Sequence, residues 1–84
     1  MEQEVRIVVY LTEEKLKTAT NFKYLIVDTI EDRGIGEVIN EGIFLEEKKV
    51  EIDFITSTVD KIDEIKSILF SLGINEKEYL ITFL

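Results

Sequence analysis

The chain has 84 residues, of which 45% are hydrophobic and 33% charged, with a net charge of −8 at neutral pH. This length supplies apolar surface for one small core, so we expect a single domain over residues 1–84. The absence of cysteine and histidine excludes a disulfide framework, a thiolate metal site and histidine-based acid–base catalysis. Eighteen acidic against ten basic residues disfavour direct binding to nucleic acid or an anionic membrane, and they indicate a basic partner. An acidic surface also increases solubility, which is the alternative explanation of the charge.

The start of the sequence carries no targeting signal. It begins Met-Glu-Gln-Glu-Val, without the basic and apolar regions of a signal peptide. The longest apolar runs fall far short of the ~20 residues that a membrane-spanning helix needs. The sequence therefore predicts a cytoplasmic protein.

The first third of the chain predicts a strand followed by a helix. Residues 4–11 are rich in β-branched and aromatic side chains, and Val5, Ile7, Val9 and Leu11 would share one face of a strand. Thr12 is a candidate N-cap for the helix, and Thr20 or Asn21 is an alternative start because weak helix formers precede them. We expect the helix to end at 32–35, Asp-Arg-Gly-Ile, in a Schellman-type stop.

An antiparallel hairpin is predicted next. Residues 36–46 and 49–56 have strand character, and they flank Glu47-Lys48, which leaves room for a tight two-residue turn. Gly42 lies inside the first arm and is a candidate position for a β-bulge.

The last third predicts a second helix and a final strand. Ser57 or Thr58 is the expected start, and Asp60 lies three residues after Ser57, as the acid of a capping box does. The helix is expected to stop at 72–74, Leu-Gly-Ile, and residues 78–84 form the last strand.

The resulting element order, β-α-β-β-α-β, is a weak repeat of two halves in which each helix ends on a Gly-Ile pair. We therefore expect an α+β fold: a ferredoxin-like βαββαβ sandwich with a four-stranded antiparallel sheet in the order 4-1-3-2 and both helices on one face.

That fold leaves one face of the sheet open. The expected members of the open face are Arg6, Val8, Tyr10, Glu51, Asp53 and Ile55. The last strand contributes either its odd-numbered residues (79, 81, 83) or its even-numbered ones (80, 82, 84). An apolar patch around Val8, Tyr10 and Ile55 follows in both cases and suggests a partner or self-association, although scattered exposed apolar side chains are normal.

The sequence shows no catalytic motif, and we expect a protein that is not an enzyme and uses no cofactor or metal. No serine lies in a nucleophile motif, no calcium-binding loop is present, and the acidic pairs fit a solvated surface. Gly34-Ile35-Gly36 follows a helix, whereas dinucleotide-binding glycines follow a strand. The basic-glycine-aromatic signature of RNA-binding sheets is absent as well.

Residues 30–42, followed by the strand at 50–54, resemble a group of small acidic ferredoxin-like proteins. Some members of that group are immunity proteins or phage-encoded inhibitors of bacterial defence. The resemblance covers residues 22–56 and implies the fold, while no functional residue is carried over from it.

These observations predict a non-enzymatic acidic inhibitor, an immunity protein or a phage anti-defence protein. It would block a basic, nucleic-acid-handling surface such as that of a toxin nuclease or a defence complex. The alternative is a self-associating regulatory or assembly domain that forms a homodimer through its open sheet face and senses a small ligand. The predicted partner-binding residues are Tyr10, Glu37, Glu41, Glu46, Glu47, Glu51 and Asp53.

Overall fold

The protein, seen here in a computed structural model that describes residues 2–84, has an α+β fold with one antiparallel open sheet of four strands. The strands are β1 (Gln3–Tyr10), β2 (Glu37–Phe44), β3 (Lys49–Thr56) and β4 (Tyr79–Phe83). Their order is β2-β3-β1-β4, which is β4-β1-β3-β2 when counted from the opposite edge. The expected α+β class and four-stranded antiparallel sheet are confirmed.

The helical segments are α1 (Glu13–Leu16), α2 (Ala19–Asp32) and α3 (Ile62–Ser71), with 3₁₀ turns at Val59–Lys61 and Glu76–Glu78. Helix α2 packs against β2, β3 and α3. The apolar residues of α2 and α3 meet those of β1 and β3 in one buried cluster, so both helices cover the same face of the sheet. The central members of this core are Val5, Ile7, Val9, Ile26, Ile30, Val50, Ile52, Phe54, Ile65 and Leu69.

The predicted first helix is divided into two. Thr12 caps the short α1, because its hydroxyl oxygen accepts the Lys15 N–H at 3.2 Å. The break follows at Thr18, whose hydroxyl donates to the Lys15 carbonyl at 3.3 Å, a local bond that competes with continued helix. The alternative caps Thr20 and Asn21 lie inside α2, which starts at Ala19.

Both long helices end in the same backbone motif. Gly34 and Gly73 have positive φ angles of 65° and 81°, a conformation that glycine adopts without a steric penalty. The N–H of Ile35 then donates to the Ile30 carbonyl at 2.9 Å, and Ile74 makes the equivalent 2.9 Å bond after α3. These are Schellman bonds, so both predicted helix stops are confirmed.

The predicted two-residue hairpin turn is wrong. Phe44 pairs with Lys49, which leaves the four residues 45–48 in the turn. The turn closes through the N–H of Lys48, which donates to the Leu45 carbonyl at 3.2 Å, while Lys48 itself has a φ of 55°. The first arm therefore ends at Phe44, two residues earlier than predicted, whereas the second arm has its predicted bounds, Lys49–Thr56.

The bulge in β2 also lies elsewhere than predicted. The register shifts between Val38 and Asn40, whereas Gly42 pairs regularly with Glu51. A bulge inserts one extra residue and so changes which face the following side chains occupy. As a result Glu41 lies on the helix-covered face, and Gly42 lies on the open face.

The start of α3 and the last strand differ in detail from the prediction. The 3₁₀ turn Val59–Lys61 leads directly into α3 at Ile62, so the helical segment opens after Thr58, as predicted. The α-helix itself has Lys61 as its N-cap without a side-chain cap bond, so the predicted capping box is wrong. A capping box does occur before β4, between Asn75 and Glu78. In β4 the residues at 79, 81 and 83 lie opposite Val9, Ile7 and Val5 of β1, so the odd-numbered residues share the helix-covered face.

Candidate functional site

The open face of the sheet is arranged in rows of residues that lie side by side on neighbouring strands. The strand register places the predicted residues of β1 and β3 on this face, and β2 and β4 contribute the remaining residues of the face. Across the sheet from β2 to β4, the rows are Phe44, Lys49 and Tyr10; then Gly42, Glu51, Val8 and Leu80; then Asn40, Asp53, Arg6 and Thr82.

Ion pairs occupy the middle of the open face. Arg6 donates from Nε to Oδ1 of Asp53 at 2.8 Å and from Nη2 to Oδ2 at 3.1 Å. Lys49 Nζ lies 2.7 Å from Oε2 of Glu51. The hydrogen bond to Asp53, together with its charge, raises the pKa of Arg6, and the bond to Glu51 raises the pKa of Lys49. Two of the predicted partner contacts, Glu51 and Asp53, are therefore neutralised by cations of the same face.

Three exposed apolar side chains lie toward one end of the open face. Tyr10, Phe44 and Leu80 are 47%, 43% and 54% exposed. The predicted patch centred on Val8, Tyr10 and Ile55 is only partly found, because Val8 is 7% exposed and Ile55 is half-buried. Of its three members, Tyr10 alone is available for contact with a partner.

Two depressions flank these features, and their linings are mixed. One has a volume of about 60 Å³ and lies beside Gly42, where the missing side chain opens a gap between Phe44 and the Glu51 and Asp53 carboxylates. The other, of about 330 Å³, lies between α3 and the start of β4 and includes Phe70, which is 78% exposed. Among residues 2–84, no group of three or more acidic residues is arranged to hold a metal ion.

The strongest electrostatic feature is an acidic end of the molecule. At this end of the sheet β1, β2 and α3 begin, and β3, β4 and α2 end. The pairing of Gln3 with Thr56 and of Glu4 with Leu84 brings the strand ends together there. Eight exposed acids and two basic residues at this end give −6 of the total −8. The acids are Glu2, Glu4, Glu31, Asp32, Glu37, Asp60, Asp63 and Glu64, and the bases are Arg33 and Lys61.

The predicted partner contacts are not brought together. Glu37 lies at the acidic end, whereas Glu46 and Glu47 lie in the hairpin turn at the opposite end of the sheet. Glu41 lies on the helix-covered face and accepts a 2.7 Å hydrogen bond from Lys23. Most of the acidic end could not be recognised from the sequence, because its acids come from four separate segments of the chain. The element order was the available signal, since it brings those segments to one end of the sheet.

The Lys23–Glu41 pair gives a pH-dependent stability. The hydrogen bond that Lys23 donates to Glu41 raises the pKa of Lys23. The pair therefore stabilises the folded state below about pH 10.4, the ordinary lysine pKa, and this contribution is lost as the pH rises through the raised value. Glu41→Gln is expected to lower the free energy of unfolding at pH 7 by up to about 1 kcal/mol. Urea unfolding should show that the difference from the unmodified protein disappears at strongly alkaline pH.

The control for this measurement is Glu46→Gln, which removes an exposed acid in the hairpin turn. It should leave stability unchanged at both pH values. A Glu41→Gln defect that persisted undiminished at alkaline pH would show that the charge pair is not its cause.

Comparison with known proteins assigns no family. No protein-family model matches the chain, and no curated protein matches it. In the part of the chain that the structure describes, no helix combines the length and apolar character needed to cross a bilayer. The geometry of the acidic end therefore stands as the main guide to function.

Proposed function

We propose that the chain is a non-enzymatic acidic inhibitor, of the immunity or phage anti-defence type, that binds and blocks a basic, nucleic-acid-handling surface of another protein. The observation that supports this is the concentration of charge at the acidic end. The open face contributes little net charge, since its acids are paired with Arg6 and Lys49. A toxin nuclease or a nucleic-acid-binding defence complex presents the complementary basic surface.

We further propose that the fold is the ferredoxin-like βαββαβ sandwich. The strand neighbours, the two long helices on one face and the repeated Gly-Ile helix stops all fit this architecture. The resemblance of residues 30–42 to small acidic ferredoxin-like inhibitors fits the same assignment. One short helix and two 3₁₀ turns are additions to the basic pattern.

Electrostatic attraction explains how such a protein would capture its target. A concentration of like charge on one part of a surface raises the rate of association with an oppositely charged partner and makes that rate fall as salt is added. The acids of the acidic end are spread over several elements rather than gathered around one point. This spread suits an extended basic surface that otherwise holds a phosphate backbone.

Tyr10, the one aromatic residue among the predicted partner contacts, lies far from the acidic end. Six residues of β1 separate it from Glu4, which is about 20 Å at the rise of a β-strand. A partner that contacts both must therefore cover the whole open face. The acidic end is the primary contact in this proposal, and Tyr10 lies at the far boundary of the surface that the partner would cover.

The test is capture from the native lysate with two variants of equal charge. In one, four acids of the acidic end are neutralised: Glu37→Gln, Asp60→Asn, Asp63→Asn and Glu64→Gln. In the control, four exposed acids of the opposite end are neutralised: Glu14→Gln, Glu46→Gln, Glu47→Gln and Glu76→Gln.

The unmodified protein and the control should retain a basic partner at low salt and release it at high salt. The acidic-end variant should bind that partner at least about tenfold more weakly, because it loses the complementary charges. Equal loss in both variants would leave only a net-charge effect, and unchanged binding by the acidic-end variant would exclude this surface.

A separate observation favours the alternative function, a self-associating regulatory or assembly domain. Strand β4 carries no charged residue, and among residues 2–84 no strand covers its outer edge. This edge, rather than the ion-paired open face, is the better surface for self-association.

A further inference from the structure

The outer edge of β4 presents unpaired backbone groups in a regular array. The N–H of Leu84 donates to the Glu4 carbonyl of β1 at 2.9 Å. In an antiparallel ladder, alternate residues direct their N–H and C=O groups toward the neighbouring strand. Every second residue counted back from Leu84 therefore faces β1, and the others direct their backbone groups outward. The outward-directed residues are Tyr79, Ile81 and Phe83.

The two edges of the sheet differ in how they are protected. Edge strands usually carry charges, prolines or bulges that prevent pairing with another chain. The β2 edge has a bulge after Val38 and two acids, Glu37 and Glu41. By contrast, residues 79–83 are Tyr-Leu-Ile-Thr-Phe, without a charge or a proline, and they pair with β1 in unbroken register. The β4 edge is thus suited to accept another strand.

We propose that two copies of the chain pair through antiparallel β4 strands, with the two-fold axis at Ile81. Two four-stranded sheets would then become one continuous sheet. Ile81 would lie opposite Ile81 of the second copy, and Tyr79 opposite Phe83 of the second copy, on the helix-covered face. Aromatic pairs directly opposite each other stabilise neighbouring strands. On the open face, Leu80 would lie opposite Thr82 of the second copy.

Charge favours a second copy over a basic partner at this edge. Strand β4 has no acid with which to attract a basic protein. Antiparallel pairing also places the acidic end of each copy beside the opposite end of the other. The arrangement separates the two acidic ends, which limits the repulsion between the copies.

The length of the paired strands and the charge of each copy determine how strongly the dimer forms and how salt affects it. Five paired residues extend over only about 17 Å, so the association is weak and depends on concentration. Each copy carries a charge of −8, and added salt screens the repulsion between copies. Salt therefore strengthens this dimer, whereas it weakens the binding of a basic partner at the acidic end, and the two proposals stand or fall separately.

The proposed dimer is tested by sedimentation velocity of the full chain over a range of protein and salt concentrations. Thr82→Glu is the variant, and Thr20→Glu is its matched control. Thr82 is exposed on β4, and Thr20 is exposed on α2. The unmodified chain and Thr20→Glu should dimerise equally and more strongly at higher salt. Thr82→Glu should weaken association by about fivefold or more, because it places a charged side chain opposite the apolar Leu80 of the second copy and sets the two introduced carboxylates diagonally across the same pair of strands. Circular dichroism should show that both variants remain folded.

Amide hydrogen exchange locates the surface independently of any substitution. The amides of Ile81 and Phe83 should become protected as the protein concentration rises, since they are unpaired in the monomer and hydrogen-bonded in the dimer. A chain that stays monomeric at high concentration and high salt overturns the proposal. A dimer in which these two amides exchange at the monomer rate, or in which Thr82→Glu has no effect, overturns it equally.

Discussion

Gly36→Ala is expected to lower the free energy of unfolding by about 3 kcal/mol or more, or to prevent folding altogether. A Cβ atom at this position would lie 2.5 Å from the Ile55 carbonyl oxygen and 2.7 Å from Cδ2 of Phe54. Neither neighbour can move easily, because the first is strand backbone and Phe54 is fully buried. The substitution would push β2 away from β3 where their pairing begins, at Glu37 and Ile55.

The matched control is Gly42→Ala, in the same strand. Its Cβ would lie 3.2 Å from the ring of Phe44, an exposed side chain that can rotate aside. Since glycine in a strand also costs about 0.5–1 kcal/mol relative to alanine, the net effect should be close to zero. Urea unfolding of both variants provides the comparison, and equal midpoints would show that the close approach at Gly36 does not constrain the fold.

Local sequence patterns were sufficient for the elements whose structure depends on their own residues. The alternation in β1 and β3 and the Gly-Ile stops predicted the strands and helix ends, because burial and positive φ leave direct marks on residue choice. The bulge before Asn40 left no such mark. The bulge is visible only in the pairing of β2 with β3, where it places Glu41 opposite Ile52 on the helix-covered face.

In the candidate site, too, local patterns predicted some features, whereas others depend on the tertiary structure. Alternation placed Glu51 and Asp53 on the open face, but their partners, Arg6 and Lys49, depend on which strands are neighbours and in what register. The acidic end was harder to predict still. Its residues range from Glu2 to Glu64 along the chain, and only the topology collects them.

Thr56→Val is expected to cost about 2 kcal/mol, because it leaves buried backbone groups without a hydrogen-bond partner. Thr56 is 2% exposed, and its hydroxyl donates to the Ile35 carbonyl at 2.6 Å and accepts the Thr58 N–H at 3.1 Å. The side chain thus joins the end of β3 to the connection that follows α2 and to the segment that leads into α3. Valine has the same shape but can make neither bond.

Thr56→Ser separates the hydrogen bonds from the packing. Serine keeps the hydroxyl and loses one buried methyl group, which costs about 0.8 kcal/mol, so it should be less destabilising than valine in urea unfolding. The opposite order would show that packing at Thr56, rather than hydrogen bonding, holds these segments together. The segments that Thr56 joins directly follow Asp32 and include Asp60 of the acidic end. Thr56→Val should also accelerate amide exchange at Thr58, whose N–H loses its acceptor, and Thr56→Ser should not. The hydroxyl of one buried threonine would then fix the relative positions of acids that lie far apart in the sequence.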